Sequence, residues 1–501
     1  MPAPYTLTPA KIEASYVAGY PTTVTLSAKQ TVPFVGISYI TIVTDEPAID
    51  PAITALPQAD GTISLSLKTM ANAKVGRYKG NLQVNVCTDP VCAAQLAGSP
   101  FVVPYDIEVV SPDGGVTPYN LSTLSPMTAA TDWGTFQGNA SHTGYVPVIL
   151  SPATFSARWK WAPPAIDGVT LAPSEVVTGG GLFYVATGGK FDDKGAFVGG
   201  FSEHNATKVW SHSFADIPYP YSRVNPPAYD NGKVFVAGGA QQFTYMFGFE
   251  AAKGVLSFKT KMDSQWPDYL APTIFGGSIF TNGGAYGGLY SFNPGTGTQN
   301  YFTRLPQYDE WTPAVDADHV YAYVEGALRV IDAASGQLLT TIADSTYEWN
   351  GYATAGAPVI GTNGMVFAGN LSNSSKNAIV AFDTRGKSTR WTATGAFSGN
   401  PAYANGYLIA ANNKTAKLEA RTEGDGNIIW SWSPPAGERF VGHVLATQNL
   451  VFVSTDVRTY AIDRTTHSTV WSYQASGTLS LSSLGILYIR GTKAIVAINL
   501  K

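Results

Sequence analysis

Three stretches place aromatic rings beside carboxylates: Asp263-Ser-Gln-Trp266-Pro-Asp268-Tyr269, Tyr308-Asp309-Glu310-Trp311 and Tyr347-Glu348-Trp349-Asn-Gly-Tyr352. Trp and Tyr offer a stacking face and a hydrogen-bonding edge, while a carboxylate accepts bonds from hydroxyls or pairs with cations. Together they suit a sugar, a basic peptide segment, or a metal with a planar ligand. The three tryptophans stand 45 and 38 residues apart, and Tyr219-Pro-Tyr221-Ser-Arg223 extends the series upstream. The competing reading is that each Trp packs between structural elements. Other chemistry is poorly represented. No GxSxG, HExxH or GxxxxGK[ST] motif is present. The six histidines, His142, His204, His212, His319, His443 and His467, are scattered without metal-ligand spacing. Asp192-Asp-Lys-Gly195 lacks the alternating oxygen ligands of a calcium loop and reads as a hairpin tip.

The elements that must position these residues are strands. The 501 residues include 51 Gly, 32 Pro, 27 Tyr, 23 Phe and 11 Trp, with only 13% charged. That composition argues against helical bundles, coiled coils and disordered tails, and for an all-β chain. A net charge of −4 removes the basic footprint of a nucleic-acid binder. No apolar run is long enough to span a bilayer, and Met1-Pro2-Ala3-Pro4 opens no signal peptide. Cys87 and Cys92, five positions apart around Asp89-Pro90, suit a disulfide closing a small loop and hence an oxidising compartment. The expected location is therefore extracytoplasmic (secreted, cell-surface or periplasmic), after removal of a signal.

Residues 1–110 alternate apolar and polar positions over 11–17, 22–28, 37–44, 62–68, 78–86 and 101–110, which predicts an Ig-like β-sandwich. Residues 111–132 read as a linker. From 133 to 501 the chain repeats itself. Asn205, Glu250, Asn293, Asp332, Asp383, Glu423, Asp463 and Asn499 each end a third strand, at intervals of 45, 43, 39, 51, 40, 40 and 36 residues. Several fourth strands then carry a large aromatic: Trp210, Phe258, Trp391, Trp430 and Trp471. Such a period predicts an eight-bladed β-propeller. The eighth unit lacks a fourth strand, which Phe155–Trp161 is expected to supply.

The turns Asp332-Ala-Ala-Ser-Gly336, Asp383-Thr-Arg-Gly386 and Asn293-Pro-Gly-Thr-Gly297, the trailing tryptophans, and the lead-in Trp133-Gly-Thr-Phe-Gln-Gly-Asn139 with His142-Thr-Gly144 resemble those of pyrroloquinoline-quinone-like (PQQ-like) β-propellers. That family includes quinoprotein dehydrogenases and cofactor-free members, among them the propeller lipoprotein of the outer-membrane β-barrel assembly machinery. The resemblance implies for the dehydrogenases a calcium or lanthanide held by carboxylate and amide oxygens, an Asp base and often a disulfide between adjacent cysteines. This propeller contains no cysteine, and none of its acids matches the ligand positions. The expectation is a non-catalytic interaction protein without cofactor. It would bind a protein partner, with self-association included, through a loop face bearing Trp266, Asp268, Tyr269, Asp309, Glu310, Trp311, Glu348 and Trp349, or through Ig-domain edges. One alternative is a quinoprotein oxidoreductase using PQQ and calcium, with ligands drawn from Asp268, Asp309, Glu310 or Glu348. A further alternative is a carbohydrate-binding protein.

Overall fold

The computed structural model describes the chain except residues 1–4, 32–38, 46–47, 60, 167, 188–195, 215–222, 241, 350 and 370–376. The Asp192–Gly195 tip, Tyr219–Ser222 and the first two residues of the 37–44 strand thus lie outside the described residues. The chain divides into two compact units, Met1–Gly115 with Pro163–Thr170, and Val116–Ala162 with Leu171–Lys501. Of the stretch read as a linker, Val116 onward belongs to the second unit.

The first unit holds two four-stranded sheets. Tyr5–Thr8, Thr23–Gln30, Thr62–Thr69 and Ile49–Pro57 form one; Ile12–Val17, Phe101–Val110, Gly76–Cys87 and Tyr39–Thr44 form the other. The alternation works as period-two side chains require: Leu26, Leu65, Leu67, Leu82, Val84 and Ile107 all point into one core. Cys87 and Cys92 are disulfide-bonded. The Asp89 carboxylate shapes this loop by accepting the N–H groups of Val91, Ala93 and Ala94 at 2.8–3.1 Å.

The second unit is a succession of sheets, each built on four antiparallel strands, the second, seventh and eighth carrying a fifth strand besides. The first comprises Val177–Gly179, Leu182–Thr187, Phe197–Ser202 and Lys208–Ser213. The inner strands of the next six are Ala228–Asp230, Thr273–Phe275, Ala314–Val315, Val359–Ile360, Phe397–Ala404 and Phe440–Thr447. In the eighth, Thr478–Leu481, Ile486–Arg490 and Ile495–Asn499 are completed by Ser156–Ala162, which runs antiparallel with Ser156 opposite Asn499 and Trp161 opposite Ile495. Each sheet shares an apolar cluster with the next. The last cluster joins Ile486, Tyr488, Ile495 and Ala497 of the eighth sheet to Val176, Phe183, Val185 and Phe201 of the first, with Trp159 and Trp161 between them. The sheets therefore form a closed ring in which each packs against both of its neighbours.

Local chemistry explains the repeat. Asn205, Asn293, Asp332, Asp383 and Asp463 cap the turn that follows the third strand, a short-range bond that Asp and Asn make readily, whereas Glu423 accepts instead from Thr362 N–H and Tyr403 OH. Asp332 Oδ1 accepts from Ser335 N (2.7 Å), Asn293 Oδ1 from Gly295 N (2.8 Å) and Asp383 Oδ1 from Gly386 N (2.9 Å). The trailing aromatic then crosses to the neighbouring sheet. Trp210 lies over Gly254, Phe258 over Gly297, Tyr301 over Gly336 and Trp391 over Gly426, so closely that a Cβ at any of these glycines would overlap the ring. Indole N–H groups add a bond across the seam, Trp210 to Ala251 O and Trp391 to Glu423 O, both 2.7 Å.

At the closing seam Arg158, fully buried, donates to His204 O (2.9 Å), Ser122 O (2.9 Å) and Asn499 Oδ1 (2.8 Å). Beside it, Glu203 is also fully buried, and accepts from Tyr488 OH at 2.8 Å while its Oε1 has no partner. Burial pushes this carboxyl up to about 7, with Asp132 adding to the shift. The lead-in segment lays a second ring inside the first. Ser483 O accepts from Met127 N; then the carbonyls of Trp133, Gly134, Ala140, Ser141, Thr143 and Gly144 accept in turn from Thr178, Tyr229, Val315, Ile360, Tyr403 and Ala446. With Thr135 Oγ1 donating to Pro272 O, the segment reaches every sheet.

Two predictions follow from the seams. Trp210→Ala removes a buried ring and its cross-seam bond and should cost about 3–5 kcal/mol, read as a lower urea midpoint. Glu203 holds its proton in the folded chain up to about pH 7, whereas the unfolded chain releases it near 4.5. Stability is thus fully present below about pH 4.5 and declines to about pH 7, by about 1.4 kcal/mol per pH unit. Glu203→Gln should flatten that decline, raising the melting temperature at pH 8 and leaving it unchanged near pH 4.5.

Candidate functional site

The lead-in ring lies beside the first hairpin of each sheet. The acidic and aromatic stretches belong to the opposite end, where the outer strand of one sheet passes to the inner strand of the next. There the loops are stitched together by backbone bonds: Gln242 N to Ser264 O (2.9 Å), Gly284 N to Asp263 O (2.7 Å), Glu310 N to Asp268 O (3.0 Å) and Asp309 N to Tyr352 O (2.6 Å). The strand Asp309–Trp311 pairs in parallel with Ala353–Gly356. Glu310 takes a left-handed φ of 55° to make this bend.

The expected site residues separate into two populations. Trp311 is 1% exposed, packed against Phe280, Leu289, Leu305 and Val315, and donates from Nε1 to Tyr308 O at 2.9 Å. Tyr269 is buried too, bonded through its hydroxyl to Ser264 Oγ, while its N–H donates to Asn225 Oδ1. Both rings are part of the wall: Tyr269 fills apolar space between the second and third sheets and Trp311 between the third and fourth. Trp266 and Trp349 face outward, Trp349 being 64% exposed. The structure adds three exposed rings: Phe243, Tyr286 at 66% and Tyr352. Trp349 meets Tyr352 edge to face, with centroids 5.7 Å apart. Phe243 and Tyr286 lie in second hairpins with no repeat signature, so only their exposure reveals them.

Among the acids, Asp268 is ion-paired with Arg223. Burial, then the nearby Asp268 and Glu310 charges, push the Asp309 carboxyl up to about 8, so at neutral pH it carries a proton. Glu310 and Glu348 are exposed.

The inner strands of the sixth and seventh sheets bulge, placing His443 near the axis. Its Nδ1 accepts from Asn400 N (2.7 Å) and its Nε2 donates to Glu175 Oε1 (2.9 Å). Burial raises the Glu175 carboxyl, but His443 and Arg490 outweigh it and hold the group below its ordinary value. His142 is fully buried between Pro358 O (3.1 Å) and Thr273 Oγ1 (3.0 Å), and burial pushes its imidazole down to about 3. Phe136 packs edge-on against both rings. The remaining histidines are engaged as well: His204 with Arg158, His212 against Phe214, His319 with Asp316, and His467 stacked on Trp430.

A calcium-held quinone needs several oxygen donors converging on one ion. Among the described residues no group of three or more His, Cys, Asp or Glu could hold a metal ion. Glu175 is bound to His443, and a guanidinium already sits against Asp268. These donors do not fit that group.

Residues 194–432 match a family model described as outer membrane protein assembly factor BamB. Among solved structures the chain is similar to BamB from Moraxella catarrhalis, at 12% identity over 71% of this chain and 98% of that chain, with a TM-score of 0.49. It is also similar to a europium-containing methanol dehydrogenase, at 12% identity over 72% and 89% of the two chains, with a TM-score of 0.50. No curated protein matches the sequence. Likeness at this identity concerns fold alone. The ring of sheets, its recurring turns and the match over residues 194–432 agree on a PQQ-like β-propeller fold built from repeats.

Proposed function

We propose that this chain is an extracytoplasmic, non-catalytic interaction protein of a bacterial envelope, in which an Ig-like sandwich is followed by an eight-bladed propeller that binds a protein partner through its aromatic loop face. The observation that carries this reading is the set of five exposed rings, Phe243, Trp266, Tyr286, Trp349 and Tyr352, on loops joined by backbone bonds. Loops fixed by a rigid scaffold are the usual seat of recognition. Exposing large rings is unfavourable for a surface with no partner, and Trp and Tyr dominate binding hot spots. The family description, an outer-membrane assembly factor, supports an envelope role, and the Cys87–Cys92 disulfide supports an oxidising compartment. The engaged histidines and carboxylates around the axis support a binding rather than a catalytic role.

Affinity capture from envelope extracts tests the reading. A Trp266→Ala/Trp349→Ala variant should lose the partner recovered by the wild-type chain while keeping its melting temperature. Trp311→Ala should instead lower the melting temperature markedly, because that ring is core. Alcohol- or sugar-dependent dye reduction after addition of quinone and calcium would overturn the non-catalytic assignment.

A further inference from the structure

The seam that closes the ring repeats a contact found at other seams and adds a carboxyl to it. Trp159 Nε1 donates to Glu203 O at 3.1 Å, as Trp210 does to Ala251 O and Trp391 to Glu423 O. The side chains at these three positions differ. Ala251 has nothing to ionise, and Glu423 is partly exposed, its oxygens accepting from Thr362 and Tyr403. Glu203 is fully buried, and its side chain crosses from the first sheet to the eighth, where Tyr488 OH donates to Oε2 at 2.8 Å. Its carbonyl also receives Arg158 Nε at 3.3 Å. One residue thus joins the first sheet, the eighth sheet and the strand that completes the ring.

The surroundings of this carboxyl suit its neutral form. Oε1 has no partner among the described residues. The Arg158 guanidinium is adjacent, but its N–H groups are directed to His204 O, Ser122 O, Asn499 Oδ1 and His204 Nδ1. Asp132, from the lead-in segment, adds a like charge, while the Ser482 and Tyr488 hydroxyls favour the ionised form without outweighing burial. Burial also holds the Tyr184 and Tyr488 phenols well above their ordinary range, so both are neutral neighbours. Ionised in place, Glu203 would be a buried charge with one oxygen unpaired, whereas a loosened seam admits water to it. The same seam holds residues 119–122: Tyr119 N donates to Arg158 O at 2.9 Å, Asn499 Nδ2 to Asn120 O at 3.0 Å and Arg158 to Ser122 O.

We propose that Glu203 is a proton-operated latch on the ring: protonated, it fixes Ser156–Ala162 between the first and eighth sheets, and its ionisation releases that strand together with residues 119–122. The opening is local to this seam, because no other seam described above buries a carboxyl whose oxygen lacks a partner. The latch is independent of the exposed loop face.

Hydrogen exchange of the full chain, read by mass spectrometry with each amide's intrinsic rate divided out, measures the opening of individual strands. Glu203 ionises near 4.5 when the seam is open and near 7 when it is closed. The opening equilibrium of Ser156–Ala162 and Ile495–Asn499 should therefore rise about tenfold per pH unit between those values and level off above pH 7. From pH 5 to pH 7 the rise is about a hundredfold, with Ala327–Asp332 of the fourth sheet unchanged. Glu203→Gln should keep the seam as protected at pH 7 as the wild-type seam is at pH 5. Asp132→Asn, which removes the like charge and keeps an acceptor for Ser483 Oγ, should reduce the rise several-fold. A wild-type seam whose exchange does not depend on pH overturns the latch, as does a rise that survives Glu203→Gln. An equal rise in the fourth sheet also overturns it, because the ring would then be unfolding as a whole. If Glu203→Gln does not fold, a rise in Asp132→Asn equal to that of the wild type overturns it.

Discussion

The contact between a trailing aromatic ring and the turn glycine of the next sheet is what the ring of sheets depends on. Trp210 on Gly254, Phe258 on Gly297, Tyr301 on Gly336 and Trp391 on Gly426 are the same event repeated. A flat ring covers much apolar area, yet it can approach a backbone closely only where no Cβ intervenes. The glycine also takes the positive φ that its turn demands, as at Gly254 (66°) and Gly336 (75°). One residue thus ends a hairpin and receives the neighbour. The variation is informative: at the sixth seam Trp430 stacks instead on His467, which occupies the corresponding turn with φ 54°.

Closure has a different chemistry. Ser156–Ala162 comes from before the first sheet and must be held against the last, so the seam uses bonds as well as apolar area. Arg158 uses its buried guanidinium to tie backbone carbonyls of two chain segments to Asn499, and a buried charge is tolerated only when its donors are satisfied in this way. Glu203, with one unpartnered oxygen, escapes the same cost by keeping its proton. The lead-in segment provides the second closure, with a hydrogen bond to every sheet, six of them accepted by its carbonyls. Its buried His142 and Phe136 are spent on packing around the axis, while the exposed rings stand on the opposite loop end.

That loop end divides labour between rings of the same type. Trp311 and Tyr269 support the wall, and Trp266 and Trp349 stand on it. The difference follows from backbone direction. Trp311 lies in a strand whose parallel neighbour, Ala353–Gly356, turns its side chain toward the apolar space between two sheets. Trp349 precedes that strand in an open connection. Bound to a ligand, a surface of this kind would lose little conformational freedom, because its loops are already bonded to each other.

Much of this was legible along the chain, because it depends on neighbours in sequence. Strand alternation, the Asp or Asn that caps a turn two or three residues later, and the spacing of both determined an all-β repeat and the register of each hairpin. The pairing of Ser156–Ala162 with the last sheet could also be anticipated, since a repeat one strand short needs a partner. The second ring made by residues 127–146 could not, because its bonds join backbone atoms separated by up to hundreds of residues and carry no side-chain signature. Nor could the sequence distinguish Trp311 from Trp349: both follow a carboxylate in equivalent connections, and burial is set by which sheet lies alongside. The tertiary structure alone decided that, and with it which aromatic residues stand exposed on the loop end.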